Sequence, residues 1–151
     1  MPVFEYTFAV PASLEAVRAI YHDTRALKKL TPPPIFVQIH NYEPLDEGAK
    51  AEFTLWLGPL PLRWVAIHSD VSKHGFTDTQ VQGPLARWRH VHRFIPVDAR
   101  HTRISEYIEY EHKPGPWGWF TRLLFSKLGL WTLFTARRIL TRWYLAKAGL
   151  R

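Results

Sequence analysis

Between Ile35 and Glu111 the chain reads as six short extended segments joined by breakers too short to hold a crossover helix. Strand candidates lie at roughly 35–43, 50–57, 62–72, 75–82, 86–96 and 102–111. The breakers are Asp46-Glu47-Gly48, Gly58-Pro59-Leu60-Pro61, His74-Gly75, Gly83-Pro84 and Asp98-Ala99-Arg100. Connections of this length join antiparallel neighbours, because a parallel return needs a dozen residues or more. The spacing therefore excludes a doubly wound parallel sheet and predicts an antiparallel meander.

A further strand precedes the meander. Phe4, Tyr6, Phe8 and Val10 alternate with Glu5, Thr7 and Ala9, the period of a half-buried strand that Pro11 ends. Ser13 then stands as N-cap before Leu14, Val17, Ile20 and Tyr21 at helical spacing. A second short helix is expected over Thr24 to Leu30, stopped by Pro32, Pro33 and Pro34. After Pro114-Gly115-Pro116 the period turns helical, which predicts one long helix over about 118–148 or two segments with a break near Gly129. A curved sheet of about seven strands cannot bury its concave face on itself. The long helix is the element available to cover it, and a cavity between the two is a candidate ligand site. With 151 residues and 46% apolar content, a single domain over 1–151 with a sizeable core is expected, of α+β class.

Three motifs give this architecture a family likeness. They are Leu27-x-x-Leu30-Thr31-Pro32-Pro33, then Phe76-x-Asp78-x-Gln80-x-x-Gly83-Pro84-x-x-x-Trp88-x-His90-x-His92-x-Phe94, then Phe134-x-x-Arg137. Glu106-x-x-Glu109-Tyr110 before Pro114-Gly115 adds to them. In this order they resemble the SRPBCC (START-like, helix-grip) superfamily, within it the bacterial cyclase/dehydrase-like, ligand-binding branch. The resemblance implies a helix-grip fold and an internal cavity for a small hydrophobic or amphipathic molecule. It also implies two alternatives, a polyketide cyclase/dehydratase-like enzyme and a peripheral lipid-binding protein. The chain departs from the family pattern at Leu85 and Ala136, where aromatics are usual, and at Glu106, where Asp is usual.

The strand from Leu85 to Pro96 sorts its side chains by parity. Arg87, Arg89 and Arg93 share one face, which three guanidinium groups force outward. Trp88, His90, His92 and Phe94 then point inward. Asp78, Gln80 and Phe76 share one parity on the preceding strand, and Glu106 and Tyr110 on the following one. Asp78, Gln80, His90, His92 and Glu106 are thus expected in one neighbourhood. Four readings stay open: a closed hydrogen-bond network, recognition of a ligand's polar end, general acid/base catalysis by His90 or His92 with Glu106 or Asp78, and a metal site. No motif implies a metal or cofactor, and none is expected. Phe76, Trp88, Phe94, Tyr110, Phe134 and Trp64 are the expected aromatic wall. Arg137 falls within the apolar stripe of the last helix, where it must snorkel out or meet a carboxylate; Glu106 and Asp78 are the partners expected, with an anionic ligand as the alternative.

Charge is distributed unevenly. Residues 1–112 hold 12 Lys/Arg against 13 Asp/Glu, whereas residues 113–151 hold 8 Lys/Arg and no acid. Arg122, Lys127, Arg138, Arg142, Lys147 and Arg151 accompany Trp117, Trp119, Trp131 and Trp143. An anionic membrane surface suits that mixture. The alternative expectation is a solvated basic face whose tryptophans pack on the sheet or gate the cavity. No nucleic-acid recognition motif accompanies it, so nucleic acid is not an expected partner. Absence of cysteine removes thiol chemistry and disulfides. No secretory signal or membrane span is read, so a cytoplasmic location is expected, with peripheral membrane contact as an addition.

Overall fold

The computed structural model describes residues 2–21, 25–41 and 43–147. His22, Thr24, Arg151 and the last helical residue expected, 148, lie outside the described residues. The chain runs β1 (Val3–Val10), α1 (Leu14–Ile20), α2 (Arg25–Lys29), β2 (Ile35–Asn41), β3 (Lys50–Leu57), β4 (Leu60–Ser72), β5 (Gly75–Gln82), β6 (Arg87–Asp98), β7 (His101–Glu111), α3 (Pro116–Leu124) and α4 (Lys127–Lys147). The seven strands form one antiparallel sheet in the order β1-β7-β6-β5-β4-β3-β2. β2 to β7 are the expected meander, and the N-terminal strand closes its far side by pairing with β7.

Local chemistry explains the elements. The Ser13 hydroxyl oxygen accepts the Ala16 N–H at 3.2 Å and so caps α1. The β4–β5 pairing is bulged, with Asp70 in the left-handed region. The Glu47 carboxylate holds the bulge by accepting the Asp70 and Val71 N–H groups at 3.1 and 3.0 Å. Gly75 opens β5 at a φ of 139°, and a Cβ there would stand 1.9 Å from the His92 carbonyl oxygen. Only glycine admits that conformation and that approach. The C-terminal helix breaks at Phe125–Ser126, four residues before the expected Gly129, and starts at Pro116. The Phe125 N–H closes α3 on the Thr121 carbonyl, and the Ser126 side chain accepts the Gly129 N–H at the start of α4.

α4 lies across the concave face. Leu130, Phe134, Thr141 and Leu145 are its buried side. Phe134 sits 5.6 Å from the Phe4 ring and 6.2 Å from Tyr6, ring centre to ring centre. Tyr6 and Thr135 share a hydroxyl hydrogen bond of 3.1 Å. α1 closes the other end through Tyr21, whose ring meets Phe94 at 5.1 Å and His92 at 6.0 Å. Among the described residues no helix is long and apolar enough to cross a membrane.

Candidate functional site

Sheet register sets the site. His92 stands opposite Phe76 on β5 and Glu106 on β7, and His90 stands opposite Asp78 and Ile108. These are adjacent rows on the concave face, so each histidine has one acid across from it and one on the diagonal, both within side-chain reach. The hydrogen bonds take the diagonal. His90 Nε2 meets Glu106 Oε2 at 2.5 Å, and His92 Nε2 meets Asp78 Oδ2 at 2.7 Å. The facing contacts are His92 Nδ1 to Glu106 Oε2 at 2.9 Å and His90 Nδ1 to Asp78 Oδ2 at 3.8 Å. The first lacks hydrogen-bond geometry, so it acts through charge. The two imidazole rings lie 3.7 Å apart, centre to centre, tilted by 31°.

This arrangement separates the two histidines electrostatically. Burial disfavours charge on both. For His92, the charge of Glu106 and the hydrogen bond to Asp78 overcome it and hold the ring at about 9. For His90, burial and the neighbouring His92 charge prevail and push it down. Burial would raise both carboxyls. The charges of His92 and His90 outweigh it at Glu106, and the His92 hydrogen bond does so first at Asp78, so both stay below their usual range. At neutral pH the core therefore holds two carboxylates and one imidazolium, and Arg137 supplies the second positive charge.

Beside this cluster lies a cavity of about 150 Å³. Phe53, Trp64, Phe76, Trp88, Phe125 and Phe134 give it aromatic walls, with Leu27, Leu30, Leu45, Leu55 and Leu133 completing them. Asp78, His90, His92, Arg137, His68 and Tyr21 add polar atoms to the lining. Glu106 stands behind the histidines, outside the lining, with its side chain 3% exposed. Phe94 and Tyr110 are buried against Tyr21 and Trp88 respectively and also lie outside the cavity. Gln80 sits apart. Its amide donates to the Leu85 carbonyl at 2.7 Å and accepts the Leu85 N–H at 3.3 Å, clamping the β5–β6 turn.

The partner expected for Arg137 is corrected by the structure. No carboxylate described lies within ion-pair distance of its guanidinium, because Asp78 and Glu106 are engaged by the histidines. Arg137 instead lies over the Phe134 ring at 5.0 Å, and its Nε is buried without a hydrogen-bond partner. Burial works against its charge, and the nearby Glu106, Tyr21 and Asp78 offset that in part. His68 Nδ1, also on the lining, is a second buried atom without a partner, and burial keeps that ring neutral. The parity of Leu62, Trp64, Ala66 and His68 on β4 was the signal that could have identified His68. Tyr21 is fixed by packing of α1 and had no such signal. Burial, reinforced by Glu106, raises its phenol and keeps it protonated, able to donate.

Asp78, His90 and His92 also offer ligand atoms within 4.8 Å of one another. A divalent cation there would have to displace the His92–Asp78 hydrogen bond and the proton His92 holds. The tryptophans correct another expectation. Trp119, Trp131 and Trp143 are each more than half exposed and none lines the cavity, while Trp117 donates its indole N–H to the Pro84 carbonyl at 2.8 Å.

Searches by sequence return no matching protein-family model and no matching curated protein. Solved structures do match. A START superfamily protein from Mycobacterium smegmatis superposes with a TM-score of 0.72 at 14% identity, covering 97% of this chain and 98% of that one. The chain has the START-like helix-grip fold. The Zhui aromatase/cyclase from Streptomyces sp. R1128 shares it with a TM-score of 0.69 at 12% identity, over 93% of this chain and 94% of that one. Norcoclaurine synthase from Thalictrum flavum, solved with dopamine and hydroxybenzaldehyde, shares it with a TM-score of 0.66 at 16% identity, over 96% and 87%.

Proposed function

We propose that the protein binds a small amphipathic molecule in the helix-grip cavity, its apolar part against the aromatic walls and an anionic end on Arg137. The observation that carries this is the guanidinium itself. A buried Arg Nε without a partner, on a side chain that lines a largely aromatic cavity, is a costly feature that an anionic guest would satisfy. The cavity volume of about 150 Å³ suits a single ring with a short substituent. Norcoclaurine synthase, of the same fold, holds single-ring molecules of this kind. The protonated His92 and the Tyr21 phenol add donors near the same end.

The test uses phenylacetate and its neutral isostere phenylacetamide in isothermal titration. Phenylacetate is expected to bind at least about tenfold more tightly than the amide, a charge-assisted hydrogen bond's worth. Arg137→Met is expected to remove that preference. Equal binding of acid and amide by the wild-type protein would refute the anionic anchor.

A second reading rests on a separate observation: His92 and Asp78 are hydrogen-bonded and both reach the cavity. It makes the protein a cyclase- or dehydratase-like enzyme. A general base works best with its pKa near the ambient pH. Asp78 is held too low and His92 too high for that role, so His92 could serve only as an acid, protonating a carbonyl or hydroxyl oxygen. That imbalance is why binding is the preferred reading.

A further inference from the structure

We propose that the exposed apolar face of α3 and α4 is a docking surface for an anionic lipid bilayer. The proposal goes beyond the cavity reading and does not depend on it.

Trp119, Leu123, Leu128, Trp131, Ile139 and Trp143 are between 52% and 75% exposed. They are not scattered. Trp119 and Leu123 are four residues apart on α3, on the side away from buried Gly118 and Thr121. At about 100° per residue, Leu128, Ile139 and Trp143 share the side of α4 opposite buried Leu130, Phe134, Thr141 and Leu145, and Trp131 flanks them. Leu123 and Leu128, both exposed, stand on either side of the Phe125–Ser126 break, so exposed apolar side chains of both helices reach the turn. Exposed apolar side chains grouped in this way on a soluble chain mark an interaction surface.

Charge decides among its occupants. The stretch 113–151 carries eight basic residues and no acid. Arg122 and Lys127 are exposed at the turn, and Lys147 lies over the Trp143 ring at 4.8 Å. A second copy would bring the same unbalanced positive charge face to face and offer no acid to pair with it. Duplex nucleic acid would meet the charges but leave Leu123, Leu128 and Ile139 without an apolar partner. A bilayer with anionic headgroups satisfies both, with tryptophans at the headgroup boundary, leucines below it and basic side chains on the phosphates. Phe125, at the same turn, lines the cavity and packs 5.6 Å from Trp88. Docking by this face would therefore bring one cavity wall next to the lipid.

The test is co-sedimentation of the full chain with phosphatidylcholine vesicles, with and without phosphatidylglycerol, at low and high salt. Binding is expected only with phosphatidylglycerol, weakening with salt and shifting tryptophan emission to the blue. Leu123→Ser with Leu128→Ser, and separately Arg122→Glu with Lys127→Glu, are each expected to weaken it by at least about tenfold. All four positions are exposed, so folding should persist, and circular dichroism checks it. No binding to anionic vesicles at low salt would overturn the proposal, as would binding that the serine pair leaves unchanged. A dimer in ultracentrifugation that the serine pair dissolves would give the surface to a second copy. Tighter binding to a duplex oligonucleotide than to the vesicles would give it to nucleic acid.

Discussion

Replacing Glu106 by Gln removes one carboxylate from a cluster that holds a proton above neutral pH. In the wild-type protein His92 is held at about 9 against an ordinary 6.5. That difference corresponds to about 3 kcal/mol of folding stability. The folded state binds the proton more tightly than the unfolded chain does. The contribution is therefore complete below pH 6.5 and lost as pH rises through about 9. His90, Asp78 and Glu106 are shifted the other way, so their effects appear only as pH falls below their ordinary ranges. Between the two limits His92 alone of the cluster sets the slope. In Glu106→Gln the charge that does most to hold the His92 proton is gone, though Asp78 remains, and His90 loses its hydrogen-bonded carboxylate as well. Removing one member of a buried charged network costs roughly 3 to 5 kcal/mol, which a domain of ordinary stability can survive. Urea denaturation at several pH values reads both effects. Wild type should lose about 3 kcal/mol across the His92 window, and the variant should start lower and decline less. A wild-type stability that is flat across that window would refute the reasoning. So would a Glu106→Gln cost below about 1 kcal/mol at neutral pH.

Three further substitutions separate architecture from binding. Gly75→Ala drives a Cβ into the His92 carbonyl in a left-handed backbone and should cost at least about 2 kcal/mol, read as a lower melting temperature. Gln80→Ala breaks the clamp on the β5–β6 turn and should cost about 1 to 3 kcal/mol while leaving phenylacetate affinity unchanged, since Gln80 does not reach the cavity. Ala66→Leu fills part of the cavity and should abolish phenylacetate binding without lowering the melting temperature. A loss of about 1 to 3 kcal/mol there would instead show that the space was already packed.

The sheet was legible because its signals are local. Parity on β6 put Arg87, Arg89 and Arg93 outside and Trp88, His90, His92 and Phe94 inside. Short breakers fixed each register closely enough to bring Asp78, His90, His92 and Glu106 together. What escaped depends on tertiary detail. Gln80 shares the parity of Asp78, but the β5–β6 ladder ends at the Thr79–Arg89 pair, so its side chain turns to Leu85. Arg137 lies on the inward side of α4 as its position on the helical wheel implied. Its lack of a carboxylate partner follows from diagonal hydrogen bonds that no spacing rule encodes. The helix break came earlier than Gly129 suggested, because Ser126 supplies the capping oxygen of the second segment. Tyr21 entered the cavity only through the docking of α1 on the sheet.

The most direct measurement is the position of a bound anion. With isotope-labelled protein and phenylacetate, nuclear Overhauser contacts should connect the ligand ring to Trp88 and Phe134. The Arg137 Nε proton should move downfield on titration, as expected of a donor to a carboxylate. Contacts confined to the outer face of the protein would contradict the proposed site, as would a bound ring in the cavity with an unmoved Arg137 Nε proton.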